Sequence, residues 1–167
     1  MSHLDHLNST PISIQCAILT ISDTRTKTTD HSGQAIVELL SAKGHNVIST
    51  AIIPDDLNQI RSTVEMYLAD SNTQVIITTG GTGISSRDQT YEAVTGILSK
   101  NVEGFGELFR WLSYQEIGSA AMLGRAIAGT AQGKIVFCIP GSENAVRLAM
   151  TKLILPELKH LVREISR

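Results

Sequence analysis

Short apolar runs rich in β-branched residues alternate along the chain with stretches whose apolar positions recur at helical spacing. Cys16 to Ile21 (CAILTI), Asn46 to Ile53 (NVISTAII), Gln74 to Thr79 (QVIITT) and Lys134 to Ile139 (KIVFCI) read as strands. Their near-continuous apolarity suits strands covered on both faces, the mark of a parallel sheet. Between the first two, Ala35, Ile36, Leu39 and Leu40 form one helical face over 32–43, with Gly44 as the stop. Between the second and third, Leu57, Ile60, Val64 and Leu68 keep helical spacing behind Asp55 and Asp56, either of which can cap that helix. After Thr79 the alternation loosens: a glycine-rich turn, a helix at about 90–98 and an aromatic segment precede the last strand. Two helices close the chain, one over 143–154 and one that starts at Pro156 and turns Leu158, Leu161, Val162 and Ile165 inward. The alternation predicts an α/β fold with right-handed crossovers: a three-layer sandwich, its central sheet mostly parallel, with helices on both faces.

Length adds that 13–167 forms a single domain, after a polar tail over 1–12 that is expected to be disordered. A chain of 167 residues buries roughly 70% of its unfolded surface and needs no disulfide or structural metal. With 14 Lys plus Arg against 16 Asp plus Glu, a net charge of −2 and no basic run, a general nucleic-acid binder is excluded. Cys16 and Cys138 sit inside apolar runs without metal-ligand spacing and read as buried free thiols. His3 and His6 fall in the polar tail and do not suggest a zinc site. No stretch is apolar for the ~20 residues of a membrane span, and the start lacks a signal peptide's pattern, so a cytoplasmic location is expected.

Aromatic residues make up only 4% of the chain, and Phe105, Phe109, Trp111 and Tyr114 crowd into one segment. Helical spacing puts Phe105, Leu108, Phe109 and Leu112 on one face and Trp111 with Tyr114 on another. A helix apolar on two sides has a second surface to cover. A subunit interface is the favoured cover, and a stacking wall for an aromatic ligand is the alternative.

In open α/β sheets ligands sit beyond the carboxyl ends of the strands, so the loops that follow each strand carry the candidate chemistry. The first loop starts Ser22-Asp23 and includes Arg25 and Lys27; the second is Pro54-Asp55-Asp56; the third is Gly80-Gly81-Thr82-Gly83; the last is Pro140-Gly141-Ser142. Glycines let backbone approach a ligand, and successive amides can cradle a phosphate, although such a turn can also be only a tight strand exit. The spacing is neither that of a Walker A loop nor of a dinucleotide fingerprint. Asp55 and Asp88 can each be a helix cap, but two carboxylates facing a phosphate call for a bridging cation, for which Mg²⁺ is the natural choice. Asp23 joins them or makes an Asx turn. Arg25, Lys27 and Arg87 can offset phosphate charge or lie on the surface. No histidine stands at a nucleophilic-triad spacing, so a substrate that brings its own nucleophile fits better than a covalent intermediate.

The blocks TISDT (20–24), DHSG (30–33), IPDD (53–56), TTGGTG (78–83), RD (87–88), GFGELFRWLSYQEIG (104–118) and IPGS (139–142) closely resemble the MoaB/MogA family of molybdenum cofactor biosynthesis proteins. The likeness runs from about Ile14 to Ile165, and the aromatic block is similar to the MoaB branch. The resemblance implies a molybdopterin-binding fold that assembles as trimers, which MoaB-like members pair into hexamers. It further implies an adenylyltransferase that uses Mg²⁺ and ATP to attach AMP to the terminal phosphate of molybdopterin. By the family pattern Asp55 and Asp88 are the essential acidic positions, for catalysis and for Mg²⁺. Ser22, Asp23, Gly80, Gly81, Thr82, Gly83, Arg87, Pro140, Gly141 and Ser142 line the pterin and nucleotide pocket. The chain departs from that pattern at Gly124, where relatives usually have Ser, and at Glu143, where they often have Pro. The same resemblance admits a second class of function, a non-catalytic oligomeric pterin-binding or scaffolding paralogue. Retention of both Asp55 and Asp88 weighs toward the enzyme.

Overall fold

The computed structural model describes residues 13–167; the tail expected over 1–12, with His3 and His6, lies outside them. The strands are β1 (Gln15–Ile21), β2 (Asn46–Ile53), β3 (Val75–Thr79), β4 (Lys100–Asn101), β5 (Ile127–Ala131) and β6 (Lys134–Ile139). The α-helices are α1 (His31–Ala42), α2 (Leu57–Ala69), α3 (Thr90–Thr95), α4 (Glu103–Ile117), α5 (Glu143–Ala149) and α6 (Leu155–Ile165). One mixed sheet runs in the order β2-β1-β3-β6-β5-β4. Its four apolar strands are parallel, and β5 and β4 add an antiparallel edge. β1, β3 and β6 are buried on both faces, whereas β2, at the sheet edge, has no buried residue and so is not covered as its apolar run predicts.

The helices divide between the faces because each central strand sends alternate side chains to opposite sides. Cys16 and Ile18 of β1, with Ile77 and Phe137, pack beneath the α1, α4, α5 and α6 layer. Ala17, Leu19 and Ile21, with Ile76 and Val136, pack against α2 and α3. Cys16 and Cys138 are buried and free, and burial pushes both thiols up to about 12. No helix among the described residues is long and apolar enough to cross a membrane.

Three local features differ from the sequence expectation. First, β4 and β5 have no apolar signature. At Gly129 an added Cβ would lie 2.5 Å from the Lys100 carbonyl oxygen, so close strand pairing demands glycine where a strand-forming side chain would have advertised the strand. The β5–β6 hairpin turns through Gln132 and Gly133, both at positive φ, as a two-residue turn matched to sheet twist requires. Second, the C-terminal helices form one continuous rod. A π-helical turn over Met150–Ile154 joins α5 to α6, and Pro156, which lacks an amide hydrogen, sits just beyond it. Third, Leu108 leaves the inner face of α4. Phe105 and Phe109 are buried and Phe105 meets the Phe137 ring edge-on, whereas Leu108, Trp111, Tyr114 and Ile117 are all more than half exposed. At about 100° per residue Leu108 stands roughly 60° to one side of Phe105, at the margin of the buried stripe, and it falls outward.

Candidate functional site

At the carboxyl end of the sheet the strand exits are tied together by backbone. The Ser22 amide donates to the Ile53 carbonyl, and the Gly80 amide to the Ile139 carbonyl, 3.0 Å away. Gly80 has φ +99°, and a Cβ there would lie 2.2 Å from the Ile21 carbonyl oxygen, so the third loop crosses the end of β1 only as glycine. Gly141 is stacked on it, with a Cβ position 3.2 Å from the Gly80 Cα. Thr79 Oγ1 donates to the Pro140 carbonyl at 3.0 Å, and Arg25 Nη2 and Ser32 Oγ donate to the Gly141 carbonyl at 3.1 and 2.7 Å. The Gly80 and Pro140 loops therefore form one floor.

The acidic residues converge on the same floor. Asp56, not Asp55, caps α2, accepting from the Gln59 amide at 2.9 Å. That leaves the buried Asp55 carboxylate turned to the glycine loop, where Oδ1 accepts from the Gln89 amide at 3.0 Å and Oδ2 lies 2.7 Å from where a Gly81 Cβ would stand. Asp88 does not cap α3 either, since the residue at that position is Gln89; Asp88 Oδ2 accepts from the Ser85 amide at 2.8 Å and overhangs Gly83. Asp23 makes no Asx turn. It accepts from the Asp55 amide at 3.0 Å and takes a two-pronged contact from Arg87, at 2.7 and 2.8 Å.

Burial raises the Asp55 carboxyl above the usual carboxylate range; the Gln89 amide opposes this, while the charges on Asp88 and Asp23 add to it. The Arg87 guanidinium and the Asp55 amide hold Asp23 below that range. Asp55 and Asp88 are thus close enough to feel each other, and each keeps one oxygen free of a donor among the described residues. No group of three metal-ligating side chains occurs among the described residues. Mg²⁺ needs no such cage, because one or two carboxylates plus phosphate oxygens suffice, and the Asp55 and Asp88 pair fits that donor set.

Two of the sequence candidates act locally. Ser22 Oγ accepts from the Thr24 and Arg25 amides and folds its own loop, and Ser142 Oγ caps α5 through the Ala145 amide. Thr82 is buried within the glycine loop. Sequence reasoning missed two residues that hold the site. Thr90, fully buried, donates through Oγ1 to the Gly80 carbonyl at 2.9 Å and through its amide to the Gly81 carbonyl at 3.1 Å. Arg125, just before β5, reaches the carbonyls of Thr82, Gly83 and Asp88. A threonine at a helix start carries only a capping signal, and a lone arginine carries none. Gly124 beside it lines a cavity of about 450 Å³ with Tyr91, Arg110 and Arg125. A Cβ at Gly124 would meet nothing nearer than 3.7 Å, so the departure from serine is not forced by space.

Comparison with known proteins identifies the family and the fold. The family model described as a probable molybdopterin binding domain matches residues 17–160. The chain is 52% identical to molybdenum cofactor biosynthesis protein B of Bacillus cereus over 168 aligned residues, covering 100% of this chain and 99% of that one. It is 46% identical to the protein of the same name from Bacillus subtilis, with the same coverage. A crystal structure of a molybdenum cofactor biosynthesis protein B superposes with a TM-score of 0.92 at 53% identity, over 95% of this chain and 99% of that one. The tungsten cofactor synthesizing protein MoaB from Pyrococcus furiosus gives 0.83 at 34% identity, over 95% and 100%.

Proposed function

The chain belongs to the MoaB/MogA family of molybdenum cofactor biosynthesis proteins, and from that premise we propose that it is a molybdopterin adenylyltransferase. In this reading ATP donates AMP to the terminal phosphate of molybdopterin, pyrophosphate leaves, and the product carries a new phosphoanhydride. The observation that supports it is the meeting of the Asp55 and Asp88 carboxylates with the Gly80–Gly83 backbone on one floor.

The attacking phosphate monoester is already anionic near neutral pH and needs no general base. The barrier is the approach of two polyanions, so catalysis consists of positioning and charge compensation. The amides of Gly81 to Ile84 take no protein acceptor among the described residues and are free to receive phosphate oxygens. Arg87, paired with Asp23, and Arg25, bonded to the Gly141 carbonyl, would add positive charge near the loops. Asp55 and Asp88 would hold Mg²⁺ through their free oxygens, and the ion, when bound, supplies charge neutralisation at the phosphates. A cation held there would offset the Asp88 and Asp23 charges, which add to the burial that raises the Asp55 carboxyl.

The test is to incubate the protein with Mg-ATP and molybdopterin and to measure pyrophosphate release and adenylylated pterin. The proposal expects turnover that Asp55→Asn and Asp88→Asn each lower by about a hundredfold or more. Pterin binding without any turnover would sink it in favour of a scaffolding paralogue. The exposed Leu108, Trp111, Tyr114 and Ile117 strip on α4 supports assembly through that helix, and a homotrimer or a pair of trimers is the state we propose.

A further inference from the structure

Arg125 stands just before β5, a strand with no apolar signature. Its amide donates to the Thr82 carbonyl at 3.0 Å and its Nε to the Gly83 carbonyl at 2.9 Å. Nη2 donates to the Asp88 carbonyl at 3.4 Å. The guanidinium is itself held: Nη1 and Nη2 bond the two Glu92 carboxylate oxygens, and its central carbon lies 4.8 Å from the Tyr91 ring centroid. The Gly83 and Asp88 carbonyls therefore point at one clamped side chain, and the Thr82 carbonyl at the backbone amide of the same residue.

A trans peptide sends the carbonyl of one residue and the amide of the next in opposite directions, and no cis peptide is present among the described residues. Fixing the Thr82 and Gly83 carbonyls on Arg125 aims the Gly83 and Ile84 amides away from it. Neither amide has a protein acceptor among the described residues. The third carbonyl shows the same logic completed by a visible partner: with the Asp88 carbonyl turned to Arg125, the following amide, of Gln89, meets Asp55 Oδ1 at 3.0 Å. We propose that Arg125 is the positioning residue of the site, aiming two amides at an anionic oxygen and holding Asp55 and Asp88 in register. It acts through the backbone it holds, and its own contacts are the Thr82, Gly83 and Asp88 carbonyls, Glu92 and the Tyr91 ring. This role rests on the phosphate-binding reading above.

The experiment uses pyrophosphate as the probe, with calorimetry for affinity and ¹⁵N amide shifts of Gly83 and Ile84 for direction, on the wild type, Arg125→Lys and Arg125→Met. Lysine keeps the charge and the backbone amide but loses the fork that reaches Gly83 and Asp88 together. The expected result is weaker pyrophosphate binding by about tenfold or more in both variants, with the Ile84 shift reduced and the Gly83 shift, whose peptide the retained Arg125 backbone amide still holds, the less affected of the two. Arg125→Lys is expected to retain a melting temperature close to wild type, which separates positioning from general support. Should Arg125→Met fail to fold, the lysine variant alone decides. Wild-type affinity and wild-type amide shifts in Arg125→Lys would overturn the role of Arg125 while leaving the cradle standing. A wild type that binds pyrophosphate with no change at Gly83 or Ile84, or does not bind it, would overturn the cradle itself and the inference with it.

Discussion

Replacing Gly81 by alanine tests the floor of the site where backbone strain and crowding meet. Gly81 has φ +66°, and the new methyl carbon would lie 2.2 Å from Thr90 Oγ1 and 2.7 Å from Asp55 Oδ2. The left-handed conformation alone costs an alanine roughly 1–2 kcal/mol. Thr90 cannot swing aside freely, because it is fully buried and its hydroxyl serves the Gly80 carbonyl. Displacing it breaks that bond inside the protein, for about 1–3 kcal/mol more. The sum, about 2–5 kcal/mol, corresponds to a fall in melting temperature of roughly 4–20 °C for a chain of this size. Gly44→Ala is the control: its φ is +78° but nothing lies within 4 Å of the Cβ position, so it carries strain without crowding. Thermal denaturation of both, together with Gly81→Ala/Thr90→Ala, separates the two contributions. The double variant is expected to lose less than the sum of its parts, since Thr90→Ala removes the obstructing oxygen. Equal losses in Gly81→Ala and Gly44→Ala, with strict additivity in the double variant, would refute the crowded-floor geometry.

Other expectations follow from groups around the site and at the opposite end of the sheet. Asp55→Asn keeps an acceptor for the Gln89 amide and removes a buried charge that faces Asp88 and Asp23. Without Mg²⁺ it is expected to stabilise the fold by about 0.5–2 kcal/mol near neutral pH while abolishing turnover. Because the folded Asp55 carboxyl is raised, the wild type loses stability relative to the variant as pH climbs from the ordinary carboxylate value through the folded one. Denaturant titrations over that range check the sign, and a less stable variant at neutral pH would contradict it. His45 is buried with Nδ1 accepting from the Ile14 amide at 3.2 Å, and burial, aided by Lys159, lowers it from 6.5. Its contribution is therefore complete above 6.5 and is lost as pH falls through the lowered folded value, a dependence that His45→Gln should remove from pH-dependent melting curves. Gly124→Ser, whose Cβ would make only ordinary contacts with the Ala121 carbonyl at 3.7 Å and the Pro140 ring at 3.9 Å, is expected to change stability by less than about 0.5 kcal/mol. If Trp111 and Tyr114, both exposed on α4, form a subunit contact, Trp111→Glu with Tyr114→Glu should reduce the mass measured by light scattering to that of one chain; an unchanged mass would exclude that face.

The parts of the fold that were legible in the sequence are those where burial acts on both sides of a strand. β1, β3 and β6 have few positions left for polar residues, so composition alone marks them, and the helices between them keep one apolar stripe. Where a different constraint dominates, the mark disappears. β5 reads IAGTA because Gly129 must admit the Lys100 carbonyl and the Leu98 side chain, and small residues at a tight approach look like loop. In the aromatic helix the pattern marks one position too many, because Leu108 stands at the boundary of the stripe and only packing decides its side.

At the site the positions were legible and the directions were not. Strand-end loops can be found from the strands, and glycine there announces close backbone contact. Yet whether Asp55 or Asp56 caps α2 turns on a single residue of chain path, and the sequence presents two equal carboxylates. The structure breaks the tie by giving the cap to Asp56, which frees Asp55 to face Gly81. The same holds for the amides of the glycine loop. A glycine permits many peptide orientations, so the sequence can locate a cradle without saying which way it opens. That choice is made by Arg125, 42 residues from Gly83 in the chain and brought there by a strand that carries no apolar pattern. The binding surface is thus written in one part of the chain and aimed from another. Long-range aiming of this kind leaves its trace in which carbonyls are already taken, and in this fold those of Thr82, Gly83 and Asp88 all are.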